Sequence, residues 1–194
     1  MTSQAPQRSV TMKNLFLCLA CAIALSSCQT STKSSVQDSS AMQTYKVPDD
    51  SAIKKAVNDA YAAISFKQGE KPRYAEIPNY FTPQAQLINF RTDTAQVTSI
   101  TQFVDLYKQF LEGNKVHMFY EEEIFGRTEQ FGKIANRIST YTTYLNTRDS
   151  IAERGVNSFQ LIKTKAGWKV SSIIWDVEKP TLRIPAYYLP APKK

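Results

Sequence analysis

The candidate acid–base residues of this chain lie in its second half. His117 is the only histidine, so any imidazole acid–base chemistry would fall on it. The alternative is a histidine at a strand end that only forms local hydrogen bonds.

Three consecutive glutamates, Glu121 to Glu123, form a second candidate site. Side chains alternate across a strand, so Glu122 points away from its two neighbours. The even-numbered apolar positions around it are Val116, Met118, Tyr120 and Ile124. If these face the helices, Glu122 is the one buried acid, with a raised pKa suited to a general base. The opposite register turns Glu121 and Glu123 inwards, and a third possibility leaves the run on a solvated outer face.

The elements that must position these residues begin with helices. Apolar residues from Ile53 to Ile64 recur at helical spacing and predict one amphipathic helix. A short helix containing Pro78 is expected over Tyr74–Phe81, and a short strand over Ala85–Arg91. A second long helix should begin after Ser99 and end at Gly113-Asn114, whose residue types suit the two caps.

Beyond Gly113 the apolar period changes from helical to alternating, which predicts strands. Gly126 and two later turn segments separate them. The predicted strands are Val116–Phe125, Phe131–Thr147, Val156–Lys165 and Trp168–Glu178. Short connections favour an antiparallel meander, and helices followed by strands indicate the α+β class, with the helices on one face of the sheet.

The segment Asn157–Val170, which ends in Gly-Trp-Lys-Val, resembles the last hairpin of the NTF2-like superfamily, including its SnoaL-like members. The passage Pro78–Phe90 and the run Gly132–Ala135 also resemble that family, and the resemblance covers about residues 51–178. It implies an NTF2-like, cystatin-like cone, a curved antiparallel sheet wrapped around two or three N-terminal helices with a pocket on its concave face. The family includes both enzymes and binding modules, so the fold alone does not choose between them. Its SnoaL-like enzymes pair a pocket histidine with an acid, and the resemblance makes Asp176 the candidate partner of His117.

The resemblance also implies which face of the central strand lines the pocket. That face begins at Ala135, and it makes Arg137 and Tyr141 candidate pocket residues. An inward arginine needs an anionic partner, either Glu122, Asp176 or a ligand carboxylate, and a structural salt bridge is the alternative to ligand recognition. Two further candidates, either pocket wall or ordinary core, are Tyr61 and Trp175.

The first residues of the chain predict a targeting signal. Residues 15–25 are uninterruptedly apolar and follow Lys13, but a membrane-spanning helix needs about 20 such residues. Leu25-Ser26-Ser27-Cys28 resembles the lipobox of bacterial lipoproteins, which implies cleavage before Cys28 and lipidation of its thiol. Because Cys18 and Cys21 would be removed, disulfide, thiol-nucleophile and cysteine–zinc chemistry are excluded from the mature domain.

The chain therefore divides into four predicted parts. These are a signal peptide over 1–27, a lipidated Ser/Thr-rich tether over 28–48, an NTF2-like domain over 49–180, and a Pro-rich basic tail over 181–194. The formal charge of +7 falls to +5 without Arg8 and Lys13, and its spread favours anionic head groups over nucleic acid. No cofactor or metal is expected.

These observations predict a lipid-anchored, extracytoplasmic domain of the bacterial cell envelope that binds or scaffolds without catalysis. The outer membrane is favoured if the organism is Gram-negative, because Gln29 follows Cys28. A small apolar or anionic ligand and a homodimer through the sheet are the expected partners. The alternative is a SnoaL-type or ketosteroid-isomerase-type enzyme that uses His117, Glu122 or Asp176.

Overall fold

The computed structural model describes residues 45–191 of the 194-residue chain. The predicted signal peptide, Cys28 and most of the tether lie outside the described residues, as do residues 192–194. Within the described part, no helix is both long enough and apolar enough to cross a membrane.

Two α-helices and one 3-10 helix precede the long strands. Helix α1 spans Asp50–Ile64, the 3-10 helix spans Tyr74–Tyr80 and helix α2 spans Ile100–Gly113. Ser99 begins α2 with a capping box, in which its backbone N–H donates to Gln102 Oε1 at 2.9 Å and its hydroxyl accepts from the Gln102 N–H at 3.2 Å. The three predicted helices are thus present, and among them only α2 has a side-chain cap at its N-terminus.

One six-stranded sheet forms the rest of the domain, in the order β2-β1-β6-β5-β4-β3. Its strands are β1 Phe81–Asn89, β2 Gln96–Ser99, β3 Phe119–Phe131, β4 Ile134–Leu145, β5 Glu153–Thr164 and β6 Gly167–Val177. Strands β3 to β6 form the predicted antiparallel meander, whereas β1 pairs with β6 in parallel. The class is therefore α+β, as predicted, with β2 as an addition.

Gly126 does not separate two strands, and that prediction was wrong. It lies inside β3, and the chain turns instead at Gly132, whose φ of 54° suits glycine. A Cβ at position 126 would lie 2.2 Å from Nη2 of Arg137 on β4. Glycine is required in this strand because the guanidinium group lies directly over its backbone.

The concave face of the sheet wraps around the helices and encloses the core. Helix α1 buries Ile53, Val57 and Tyr61 against it, and Phe159, Leu161 and Val170 face them from β5 and β6. On the convex face, the C-terminal segment crosses β4, where the Thr140 hydroxyl donates to the Tyr188 carbonyl at 2.6 Å. The core therefore fills one end of the cone, and a pocket occupies the other end.

Candidate functional site

A pocket of about 450 Å³ opens between α1, α2 and the concave face of the sheet. Its walls are largely aromatic and aliphatic, a composition typical of small-molecule sites. The large apolar side chains that line it include Phe81, Leu87, Phe103, Tyr107, Phe110, Phe119, Phe159 and Trp175. A set of exposed lining residues, which we call the mouth, comprises Arg91, Gln96, Leu106, Phe110 and Ala152.

Two acids line this pocket, and Glu121 is the one that forms no ion pair, since Glu153 is paired with Arg91. Burial raises the pKa of its carboxyl to about 7, against an ordinary value of 4.5, and the charge of Glu153 adds to this increase. The Thr143 hydroxyl, opposite on β4, donates to Glu121 Oε2 at 2.6 Å and opposes the shift. Near neutral pH the carboxyl is therefore divided between its protonated and ionised forms, which suits a proton donor or acceptor.

The assignment of Glu122 as the buried acid is wrong, because the opposite register is present. Glu122 lies on the outer side of the sheet, half-exposed, with its carboxylate 3.1 Å from Nη2 of Arg148. A bulge between Glu123 and Phe125 shifts the inward positions of β3 from odd to even numbers. The bulge is not the cause of the error, because Val116, Met118 and Tyr120, which set the predicted phase, precede it. Tyr120 faces outwards beside Glu122, where Arg148 lies 3.6 Å from the centre of its ring, so its aromatic side chain does not mark the inner face.

An ion pair stands at the mouth of the pocket. The Arg91 guanidinium group is bonded to both carboxylate oxygens of Glu153, with Nη2 to Oε1 at 2.8 Å. The Tyr141 hydroxyl donates to the same Oε1 at 2.9 Å. A Cβ at Gly155 would lie 2.7 Å from the Tyr141 hydroxyl oxygen, so glycine leaves the space that the tyrosine occupies. Because Arg91 is already neutralised, the pocket holds no spare cation for an anionic ligand.

Polar groups continue along the wall formed by α1. The Tyr61 hydroxyl lies 2.7 Å from the hydroxyl oxygen of Ser139 and accepts a hydrogen bond from the Asn157 side-chain amide at 2.8 Å. Burial, followed by the charge of Glu121, raises the pKa of Tyr61 above its ordinary value, and the same two causes act on Tyr141. Both phenols remain protonated at neutral pH.

Arg137 faces inwards as predicted, but it does not line the pocket. It is 4% exposed, and Glu123 holds it through two hydrogen bonds, Nε to Oε2 at 2.8 Å and Nη2 to Oε1 at 2.6 Å. Its other contacts are the Thr128 hydroxyl and, at 3.6 Å, Asp50. The alternative of a structural salt bridge is therefore correct, although its partner is Glu123 and neither Glu122 nor Asp176.

The other predicted candidates lie in different places. Tyr61, Tyr141 and Trp175 line the pocket. His117 is exposed just before β3, and Asp176 is half-buried, 3.2 Å from Nζ of Lys179. Since neither belongs to the pocket lining, the structure does not bring them together there as an acid–base pair.

Sequence reasoning missed Thr143, Arg91 and Glu153. Thr143 and Glu153 occupy adjacent strands in register, and only the pairing of β4 with β5 would have revealed it. Arg91 lies beyond the end of β1, and no local pattern links it to Glu153. Within residues 45–191, no group of three or more His, Cys, Asp or Glu residues could hold a metal ion.

Known proteins resemble the chain in structure only. No family model matches it, and no curated protein does. A protein of unknown function with a cystatin-like fold from Nostoc punctiforme superposes with a TM-score of 0.55 at 12% identity, over 71% of this chain and 96% of its own. A proposed scytalone dehydratase from Novosphingobium aromaticivorans gives 0.54 at 11% identity, over 75% of this chain and 95% of its own.

An NTF2-like protein with a cystatin-like fold from the same species gives a TM-score of 0.51 at 9% identity, covering 72% of this chain and 86% of its own. At such identities the likeness concerns the fold. The chain therefore has the NTF2-like, cystatin-like cone fold, and its function must be argued from its own residues.

Proposed function

We propose that this chain is a binding domain that takes a small, neutral and mostly apolar molecule into the cone. The observation that carries the proposal is the apolar pocket of about 450 Å³ with Glu121 inside it. A volume of this size lies within the usual range for ligand sites. A hydroxyl, carbonyl or amine group on the ligand could meet the Glu121 carboxyl and the Thr143 hydroxyl, while the aromatic walls hold the rest.

Binding of the neutral fluorescent probe N-phenyl-1-naphthylamine tests this proposal. We expect its fluorescence to rise on binding and to be lost in Ala152→Trp, which places an indole ring at the mouth. Val97→Trp is the matched control, because Val97 is exposed between two lining residues of β2 without lining the pocket itself. Equal binding by both variants would place the probe elsewhere and reject the pocket.

The pH dependence of probe binding tests the part played by Glu121. A neutral ligand that covers the carboxyl favours its protonated form, so affinity should fall as pH rises through about 7. The decline approaches about tenfold per pH unit above this pKa. Glu121→Gln should remove the decline, whereas Glu122→Gln and His117→Ala, outside the pocket, should retain it.

A second function, acid–base catalysis on the bound molecule, is favoured by the pKa of Glu121 near 7. In this scheme the ionised carboxyl takes a proton from carbon beside a ligand carbonyl and returns it. Exchange of the activated hydrogens of 2-tetralone in D2O, followed by NMR, measures this step directly. Acceleration that Glu121→Gln abolishes and Glu122→Gln retains would establish catalysis, and exchange at the uncatalysed rate would leave binding as the function.

We further propose that Cys28 carries a lipid that holds the domain in the bacterial cell envelope. The support is the sequence Leu25-Ser26-Ser27-Cys28 after an apolar run of targeting type. The native chain should partition with membranes after a high-salt wash, and Cys28→Ser should not be processed or lipidated. A Cys28→Ser chain that is cut normally and still resists the wash would contradict this assignment.

A further inference from the structure

Three apolar side chains form an exposed row on the convex face, at the closed end of the cone. Phe131 pairs with Ile134 across the β3–β4 turn, and Ile134 pairs with Ile162 on β5. Residues paired in this way share one face of a sheet. Phe131 is 83% exposed, Ile134 59% and Ile162 38%, so the sheet presents large apolar groups to solvent here. We call Phe131, Ile134 and Ile162 the apolar row.

Farther along β4, the same convex face is covered by the chain itself. Thr140 and Thr142 are fully buried, and Tyr188 of the C-terminal segment accepts the hydrogen bond from Thr140. The apolar row lies at the other end of β4, about 20 Å away at the rise of a strand. The covered middle of the face and the exposed row are therefore distinct surfaces.

Basic residues border the apolar row. Lys133 lies in the turn between Phe131 and Ile134, and Lys165 lies in the neighbouring β5–β6 turn. Both are exposed, and neither forms an ion pair with any described residue. Glu129 is the nearby exposed acid on β3, so the surface keeps a net positive charge. Apolar side chains among lysines match the interface of a bilayer with anionic lipids.

The described chain also begins at this end of the cone. The Tyr45 hydroxyl donates to the Gln130 carbonyl at 2.6 Å, and the Asp49 N–H donates to Gln130 Oε1 at 2.9 Å. Gln130 directly precedes Phe131, so residues 29–44 join the domain beside the apolar row. A lipid on Cys28 would therefore pull this end of the domain towards the membrane.

We infer that the apolar row and its flanking lysines are a docking surface for an anionic phospholipid bilayer. The inference rests on the envelope location proposed above. Phe131 and Ile134 enter the acyl boundary while Lys133 and Lys165 meet the phosphates. The mouth of the pocket lies at the opposite end of β4, about 35 Å away, and so faces the aqueous side. The ligand then enters from water and not from the bilayer.

The test uses residues 29–194, which lack the lipid and contain no cysteine. We expect this part to fold by itself, since within residues 45–191 every buried core residue lies between Ile53 and Ile173. The fluorophore NBD is attached to the new cysteine of Ile134→Cys. Val97→Cys with the same label is the matched control, because Val97 is 56% exposed and lies near the mouth. With millimolar vesicles containing phosphatidylglycerol, NBD at 134 should brighten and shift to the blue, and a lipid-borne quencher should reach it. NBD at 97 should not change.

Charge variants complete the test. Lys133→Gln and Lys165→Gln should each weaken vesicle binding about fivefold, the fold-change expected for loss of one basic residue at an anionic surface. Lys67→Gln should bind like the native chain, because Lys67 is exposed and follows Phe66, which pairs with Phe119 at the other end of β3. Equal responses at 134 and 97, or no binding, would overturn the inference. The inference would also be overturned if NBD at position 134 were shielded from water without vesicles and the chain had the mass of a dimer. A second copy of the chain would then occupy the apolar row. None of these outcomes depends on lipidation of Cys28.

Discussion

Two glutamates of β3, Glu121 and Glu123, point to the same side of the sheet and have opposite environments. Glu123 is 5% exposed and is held by Arg137 through two hydrogen bonds at the closed end of the cone. Glu121 accepts one hydrogen bond from Thr143 and lines the pocket. A cation thus neutralises the first acid, while the second has only a hydroxyl partner.

The difference teaches how this fold separates stability from chemistry. Two hydrogen bonds from one guanidinium group fix the geometry of the Glu123 carboxylate. A buried carboxyl without a cation resists ionisation, so its pKa rises into the range where it can exchange a proton with a ligand. Only the second arrangement is suited to an active or binding site.

Breaking the Glu123–Arg137 ion pair should have the largest effect on the free energy of unfolding. Glu123→Gln leaves the buried Arg137 charge with only the exposed Asp50 carboxylate, at 3.6 Å, as a counter-ion. Loss of a buried partner typically costs about 3–5 kcal/mol. Urea unfolding of residues 29–194 measures this loss. Glu122→Gln is the control, because its pair with Arg148 is exposed and such pairs are worth about 0–1 kcal/mol.

The double variant Glu123→Leu/Arg137→Met sharpens this result. Removing both charges avoids the unpaired cation, so it should be less destabilised than Glu123→Gln. Probe binding in the pocket should persist in the double variant, since Arg137 and Glu123 do not line it. A double variant less stable than the single one would mean that the pair itself stabilises the closed end.

The second prediction concerns stability and pH at Glu121. Its folded-state pKa of about 7 exceeds the ordinary 4.5, so between these values the folded chain holds a proton that the unfolded chain releases. Raising the pH through this window therefore destabilises the fold, by on the order of 3 kcal/mol in total. Glu121→Gln removes this loss.

The measurement is the difference in unfolding free energy between Glu121→Gln and the native chain, at pH 4.5 and pH 8. Relative to the native chain, Glu121→Gln should be more stable at pH 8 than at pH 4.5, by on the order of 3 kcal/mol. Ionisable groups other than Glu121 are the same in both chains, so their contributions cancel in this difference. The neighbouring phenols of Tyr61 and Tyr141 stay protonated because burial raises their pKa. A difference that is independent of pH would show that Glu121 ionises normally.

Much of this fold could be predicted because its signals are local. The apolar stripe of α1 and the Ser99 cap of α2 are each contained in one segment. Strand β2 has only four residues, of which one is buried, and so gives little alternation to detect. Its presence depends on pairing with β1, which is a tertiary effect.

The site was harder to predict because its geometry depends on register. Tyr120 lies on the outer face of β3 beside Glu122, with Arg148 over its ring, so its aromatic type indicated the wrong face for the glutamates that follow it. Tyr61 lies on the regular apolar stripe of α1, and Tyr141 was found because the family resemblance indicated which face of β4 lines the pocket. Arg91 and Glu153 meet only after β1 and β5 have taken their places in the sheet.

The smallest predicted effect concerns the one hydrogen bond that Glu121 does have. Thr143→Val removes a donor that favours the ionised carboxyl, so the pKa of Glu121 should rise further, by about one unit for a hydrogen bond to a charged group. The midpoint of the pH-dependent probe binding should move up by the same amount. Thr140→Val is the matched control, because its hydroxyl bonds to Tyr188 on the convex face of the same strand. Both variants should lose about 1 kcal/mol of stability, and only Thr143→Val should move the midpoint. An equal shift in the two would mean that the midpoint reports stability and not the protonation of Glu121.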